Sequence, residues 1–151
     1  SVDEAEKDLQ AARETFERLK REGAEHGKVR TAECAVFGAE EQLTLAEAQA
    51  SGELDRVRKR YEQAEVQVLR IGDAFIVGLP GECFVEYALQ IKEQAPGPAL
   101  VASLANGELQ GYITTPGATG YEASLSMFRP EAGANLVETA AQSMGALQDA
   151  E

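Results

Sequence analysis

Apolar positions recur along the first fifty residues at the three- and four-residue spacing of a helix face. From Asp3 to Arg21, Leu9, Ala12, Phe16 and Leu19 form one narrow stripe among dense charges, which predicts an amphipathic helix. Gly23 and Gly27 break it. Ala32, Val36, Ala39, Leu43, Ala46 and Ala50 then alternate four and three residues apart. That rhythm predicts a second helix over 28–50, running back antiparallel against the first as a coiled-coil-like hairpin whose small alanines let the axes approach closely. Ser51-Gly52 ends it, and Leu54, Val57 and Tyr61 mark a short third helix over 53–62.

Beyond residue 63 the pattern changes. Ala64–Ile71 and Ala74–Leu79 are β-branched runs separated by Gly72-Asp73, the signature of two antiparallel strands joined by a two-residue turn. The second run, Ala-Phe-Ile-Val-Gly-Leu, is apolar enough for a central strand. Pro80-Gly81 stops it, and 82–94 reads as a helix with Phe84, Ala88, Leu89 and Ile91 inward, ended by Pro96 and Pro98. A buried strand is predicted over 99–105. Residues 106–130 then read as a long ordered loop in which only 112–114 is extended, and loops of that length are usually functional or disordered. Leu136, Val137, Ala140, Met144 and Leu147 predict a closing helix over about 131–147. The expected fold class is α+β: an N-terminal antiparallel helical hairpin with its short third helix (1–63), packed in one compact unit with a small mixed β-sheet and two further helices (64–151).

Composition narrows the function classes. The chain has 151 residues, 44% of them hydrophobic, and a net charge of −12, the make-up of a soluble globular domain. Residues 1–63 hold 15 acids and 11 bases, whereas residues 64–151 hold 11 acids against only Arg70, Lys92 and Arg129. Binding to nucleic acid or to an anionic membrane is therefore not expected. No apolar run is long enough for a transmembrane segment, and the polar, acidic start carries no address. The opening Ser1, without an initiator Met, is read as a processed or excised piece of a longer polypeptide. Cys34 and Cys83 lack the spacing of a zinc knuckle or a redox pair and are expected to be free, buried thiols. The single histidine, His26, is expected to be a solvated loop residue. One His and no nucleophile elbow exclude Ser-His-Asp chemistry, and Gly117–Gly120 lacks the Lys of a phosphate-binding loop.

Two residues stand where chemistry gathers. Glu82 follows Pro80-Gly81 at a strand-to-helix junction, and Tyr112 sits in Gly111-Tyr112-Ile113-Thr114-Thr115, ahead of Gly120-Tyr121-Glu122-Ala123-Ser124. Taken alone, Glu82 is ordinary dipole chemistry in a first helical turn, and Tyr112 is an ordinary half-buried strand tyrosine. In order, the apolar strand, Pro-Gly-Glu, helix, second strand, Gly-Tyr-Ile-Thr-Thr and Tyr-Glu-Ala-Ser resemble the C-terminal part of the catalytic domain of the neutral, non-lysosomal ceramidases, over residues 64–145. The resemblance implies a zinc amidohydrolase acting on an N-acyl lipid in a secreted or periplasmic setting, with Glu82 and Tyr112 as zinc ligands. It assigns no role to Tyr121 or Glu122, and the 106–122 loop would line the substrate entrance. Zinc in that family is also held by two histidines, which an upstream domain or a second chain must supply. A catalytic zinc takes at least three protein ligands, so this chain alone is expected to be inactive. The competing expectation is a non-catalytic module that uses the hairpin of residues 3–50 as a protein-interaction surface.

Overall fold

The structure, a computed structural model, describes residues 1–60, 63–105, 111–129 and 131–150. Tyr61 and residues 106–110 of the predicted loop lie outside the described residues. The fold is α+β, and the chain divides into two compact units, Ser1–Glu62 and Gln63–Glu151.

The first unit is helical: α1 (Val2–Arg21), α2 (His26–Ser51) and α3 (Glu53–Arg60). The Ser1 hydroxyl accepts the Glu4 N–H at 3.3 Å, satisfying one of the orphan donors that begin any helix. α1 and α2 form the hairpin. Ala5, Leu9, Ala32 and Val36 are buried along its seam, while Ala12, Phe16, Leu19, Ala39, Leu43 and Ala46 are half-buried. A two-helix layer excludes water only from the middle of its contact stripe. Ala50, placed on the stripe by its spacing, is exposed, since α2 has 26 residues against 20 in α1. Arg13 and Glu40 bridge the helices at 2.7 Å, an exposed pair worth about 1 kcal/mol at most.

The second unit holds β1 (Gln67–Ile71), β2 (Ala74–Gly78), β3 (Glu82–Cys83), α4 (Val85–Gln94), β4 (Ala99–Ala102), β5 (Tyr112–Ile113), α5 (Tyr121–Leu125) and α6 (Ala132–Asp149). β1 and β2 pair antiparallel across Gly72-Asp73, where Gly72 takes φ +60°, a conformation cheap only for glycine. β2 is central, because β4 joins its other side in parallel, Phe75 opposite Ala99 through Gly78 opposite Ala102. A parallel return needs a crossover, which α4 supplies.

Alternation along β2 sends Phe75 and Val77 to one face, where α4 and α6 cover them with Ile91, Val137, Ala140 and Met144. Each of the larger side chains contributes about 1.5–3 kcal/mol on leaving water. Tyr87 of α4 is buried against α6 at Gly133, and a Cβ there would lie 2.0 Å from its Cζ. Arg70 of β1 donates to the carbonyls of Gly72 (2.9 Å) and Leu147 (3.0 Å). The second bond brings a cation to the last turn of α6, which has no base of its own.

Four expectations are corrected. The helix expected from residue 82 starts at Val85, since Glu82 and Cys83 are taken into a parallel pair with β5. Within α4, Tyr87 occupies the buried position and Leu89 is exposed; the true stripe is Phe84, Tyr87, Ala88, Ile91. β4 stops at Ala102 and alternates half-buried and exposed, because α4 and α6 of the same unit pack against one face of the sheet. The expected 106–130 loop is extended at Tyr112–Ile113, as its pattern predicts, but it also contains a short helix, α5. Among the described residues, no helix is long and apolar enough to cross a membrane.

Candidate functional site

β2 runs off the sheet at Leu79, and Leu79, Pro80 and Gly81 are all buried. Their backbone is pinned by the strand alongside: the Leu79 N–H donates to Ala102 O (2.8 Å), Ala105 N–H to Leu79 O (2.9 Å) and Leu104 N–H to Gly81 O (3.0 Å). Leu104 makes its bond at φ +52°, the single positive φ outside glycine among the described residues. A left-handed leucine costs about 1–2 kcal/mol, so three hydrogen bonds hold the turn at a strained position. The turn sits beyond the carboxyl ends of the parallel strands β2 and β4, where open α/β sheets commonly bind ligands.

The turn delivers Glu82 into the β3–β5 ladder. β3 and β5 are parallel, with Glu82 directly opposite Tyr112 and Cys83 opposite Ile113; the Phe84 N–H extends the ladder to Ile113 O at 3.0 Å. Parallel neighbours are about 4.8 Å apart, and in-register side chains leave on one face. The carboxylate and the phenol that the resemblance singles out are thus brought side by side, Glu82 exposed and Tyr112 half-buried.

Tyr112 is braced from two directions. Its ring meets that of Tyr121, the first residue of α5, edge to face, with centroids 6.2 Å apart at 70°, an arrangement worth about 0.5–1.5 kcal/mol beyond burial. Its carbonyl accepts the Ser126 hydroxyl at 2.8 Å. Two residues on, the Thr114 carbonyl accepts the Tyr87 hydroxyl at 2.8 Å. Burial, then the neighbouring Cys83 and Glu86, push the Tyr87 phenol above its ordinary pKa, so it stays a donor. Tyr87 thus ties α4 to the strand that carries Tyr112, and Phe84, Tyr87, Ala88 and Ile91 follow the spacing of a buried stripe.

Cys83 points away from Glu82 and packs with Phe84 against the core. Desolvation pushes its thiol up to about 11, which suits an inert side chain. It and Cys34 are free, and both are half-buried rather than fully buried. Glu122 is exposed in the first turn of α5. His26 opens α2 instead of lying in the preceding loop, and it is exposed. Among the described residues, no three His, Cys, Asp or Glu side chains gather into a metal-holding group. No protein family, curated protein or solved structure matches the chain.

Proposed function

We propose that the second unit is the ligand-donating end of a ceramidase-like zinc amidohydrolase. The observation that carries this reading is the register of the β3–β5 ladder, which sets Glu82 against Tyr112. The donor set fits zinc in part: a carboxylate and a phenol are two oxygen donors on one face, and a tetrahedral catalytic site needs one or two more protein donors. Those are two imidazoles from an upstream domain or a second chain, and without them the present chain is inactive. Zinc, when bound, supplies an acidified water and polarises the amide carbonyl of an N-acyl lipid.

The residues in hand have separate tasks. Glu82 contributes charge and is held by the buried Pro80-Gly81 turn. Tyr112 contributes a phenol oxygen whose ring is fixed by Tyr121. Tyr87, through Thr114, keeps β5 in register with β3.

The test uses the complete protein purified from its source, assayed for zinc and for fatty-acid release from an N-acyl sphingoid base. Glu82→Gln and Tyr112→Phe should each lower hydrolysis at least about hundredfold and reduce bound zinc, since each removes a direct ligand, while Glu122→Gln should change neither. Unaltered zinc and rate in Glu82→Gln would overturn the reading. A metal-free protein without hydrolytic activity would leave the non-catalytic interaction module.

A further inference from the structure

The chain has two methionines, and the fold treats them oppositely. Met144 of α6 is 0% exposed, in the core with Val77 and Ile91. Met127, just after α5, is 40% exposed. A dissolved oxidant meets the first thioether only when the unit opens, whereas it meets the second in the native state.

The surroundings of Met127 give its oxidation a consequence. Its methyl carbon stands 3.7 Å from the point that a Cβ on Gly111 would occupy, with Cε2 of Phe128 at 3.8 Å and the Leu125 carbonyl oxygen at 3.9 Å. Gly111 holds φ +102°, and Tyr112 follows it directly. The backbone entering β5 therefore runs under a cover made by the residues that follow α5. One residue before Met127, the Ser126 hydroxyl donates to the Tyr112 carbonyl at 2.8 Å, and at the start of α5 Tyr121 meets the Tyr112 ring. The stretch from Tyr121 to Phe128 thus wraps β5, and Met127 is its exposed, oxidisable member. β5 has only two residue pairs with β3, and a lone two-stranded pair is marginal without packing around it.

We infer that Met127 is an oxidation site through which a peroxide loosens the β3–β5 ladder. The thioether sulfur attacks one oxygen of hydrogen peroxide. The O–O bond breaks, an S–O bond forms, and the second oxygen leaves as hydroxide, taking the proton of the transferred oxygen to become water. Sulfur is oxidised to the sulfoxide and the peroxide is reduced. The sulfoxide is polar where the thioether was apolar, so it turns toward water and draws its methyl group off Gly111. Tyr112 then loses one wall of its seat. Methionine sulfoxide reductases reverse the step, which makes the change a switch. The inference uses the ladder alone and stands apart from the zinc reading.

The experiment treats the 151-residue chain with hydrogen peroxide at pH 5, where thiols are protonated and slow to react, and locates each added oxygen by peptide mass mapping. Met127 should be oxidised at least about tenfold faster than Met144. Amide exchange read by NMR at Phe84, whose N–H extends the ladder to Ile113 O, should then rise about fourfold, the equivalent of one methyl group returned to water. Ala140, buried in α6, should keep its rate. Met127→Leu, which conserves volume and has no sulfur to oxidise, should show no response to peroxide, and a sulfoxide reductase should restore the original Phe84 rate in the oxidised chain. Similar oxidation of both methionines would overturn the inference, as would unchanged Phe84 exchange in the Met127 sulfoxide. A rise that persists in Met127→Leu would place the effect elsewhere and overturn it as well.

Discussion

α6 offers one substitution at two positions with opposite expected signs. A Cβ at Gly133 would lie 2.0, 2.3 and 2.5 Å from ring carbons of Tyr87, about 1 Å or more inside ordinary contact. Tyr87 is 3% exposed, and its hydroxyl is bonded to Thr114 O, so the ring cannot retreat without losing that bond. Overpacking of this kind costs about 1–3 kcal/mol, and an unmade buried hydrogen bond adds about 1–3 kcal/mol. Replacing a helical glycine with alanine returns about 1 kcal/mol. Gly133→Ala should therefore destabilise the second unit by about 1–5 kcal/mol, centred near ~3 kcal/mol, which is roughly 12–24 °C in melting temperature for a unit of this size. At Gly145 a Cβ meets nothing within 4 Å, so Gly145→Ala should stabilise by up to about 1 kcal/mol. Near-UV circular dichroism in urea is the suitable assay: there is no tryptophan, and Tyr87, Tyr112 and Tyr121, three of the four tyrosines, lie in this unit. Tyr87→Leu, which removes the ring, should absorb most of the Gly133→Ala penalty in a double-mutant cycle. Equal midpoints for Gly133→Ala and Gly145→Ala would refute the packing argument.

Other consequences can be checked on the same chain. Burial raises the folded Cys83 thiol from 9.0 to about 11, so iodoacetamide at pH 8 should react up to about a hundredfold more slowly than with an unperturbed thiol; a rate like that of free cysteine would contradict this. Because the unfolded thiol ionises first, its contribution to stability is complete below pH 9 and is lost between about 9 and 11, and Cys83→Ala should flatten that part of the urea-midpoint profile. Gly97→Ala would set a Cβ 2.2 Å from the Asp73 carbonyl oxygen; a backbone clash at the β1–β2 turn should lower stability by about 2 kcal/mol or more, read as a shifted midpoint with unchanged slope. Arg70→Met should cost about 1–3 kcal/mol, by removing charge-assisted bonds to Gly72 and Leu147, and deuterium exchange should show the last turn of α6 opening faster.

What was legible in the sequence followed periodicity. The alanine seam of α2 and the β-branched runs flanking Gly72-Asp73 are local signals strong enough to survive packing, and both elements form within a few residues of their predicted limits. The misreadings occur where a distant partner decides. Nothing near Glu82 announces that Glu82 and Cys83 will pair with Tyr112 and Ile113, so helical propensity carried the predicted helix three residues too far. Nothing near Ala99 says that β4 will lie at a sheet edge with helices on one side. Tyr87 was readable by its spacing, but its significance comes from Gly133 and Thr114, more than 25 residues away. For the site, the order of Pro-Gly-Glu and Gly-Tyr-Ile-Thr-Thr picked out Glu82 and Tyr112, whereas the bracing by Tyr121, Ser126 and Tyr87 emerges only in three dimensions.

The β3–β5 ladder constrains variation by parity and not by distance. Only two residue pairs define it, and α4, β4 and their connections form an excursion between its halves. That excursion can lengthen or shorten in its turns while Glu82 and Tyr112 stay opposite. A slip of a single residue within the ladder sets Gly111 or Ile113 against Glu82 and turns the phenol to the other side. Chains sharing this arrangement should therefore differ freely in the spacing between the carboxylate and the tyrosine, while keeping a buried residue, as Ile113 is here, immediately after the tyrosine to lock its side of the strand.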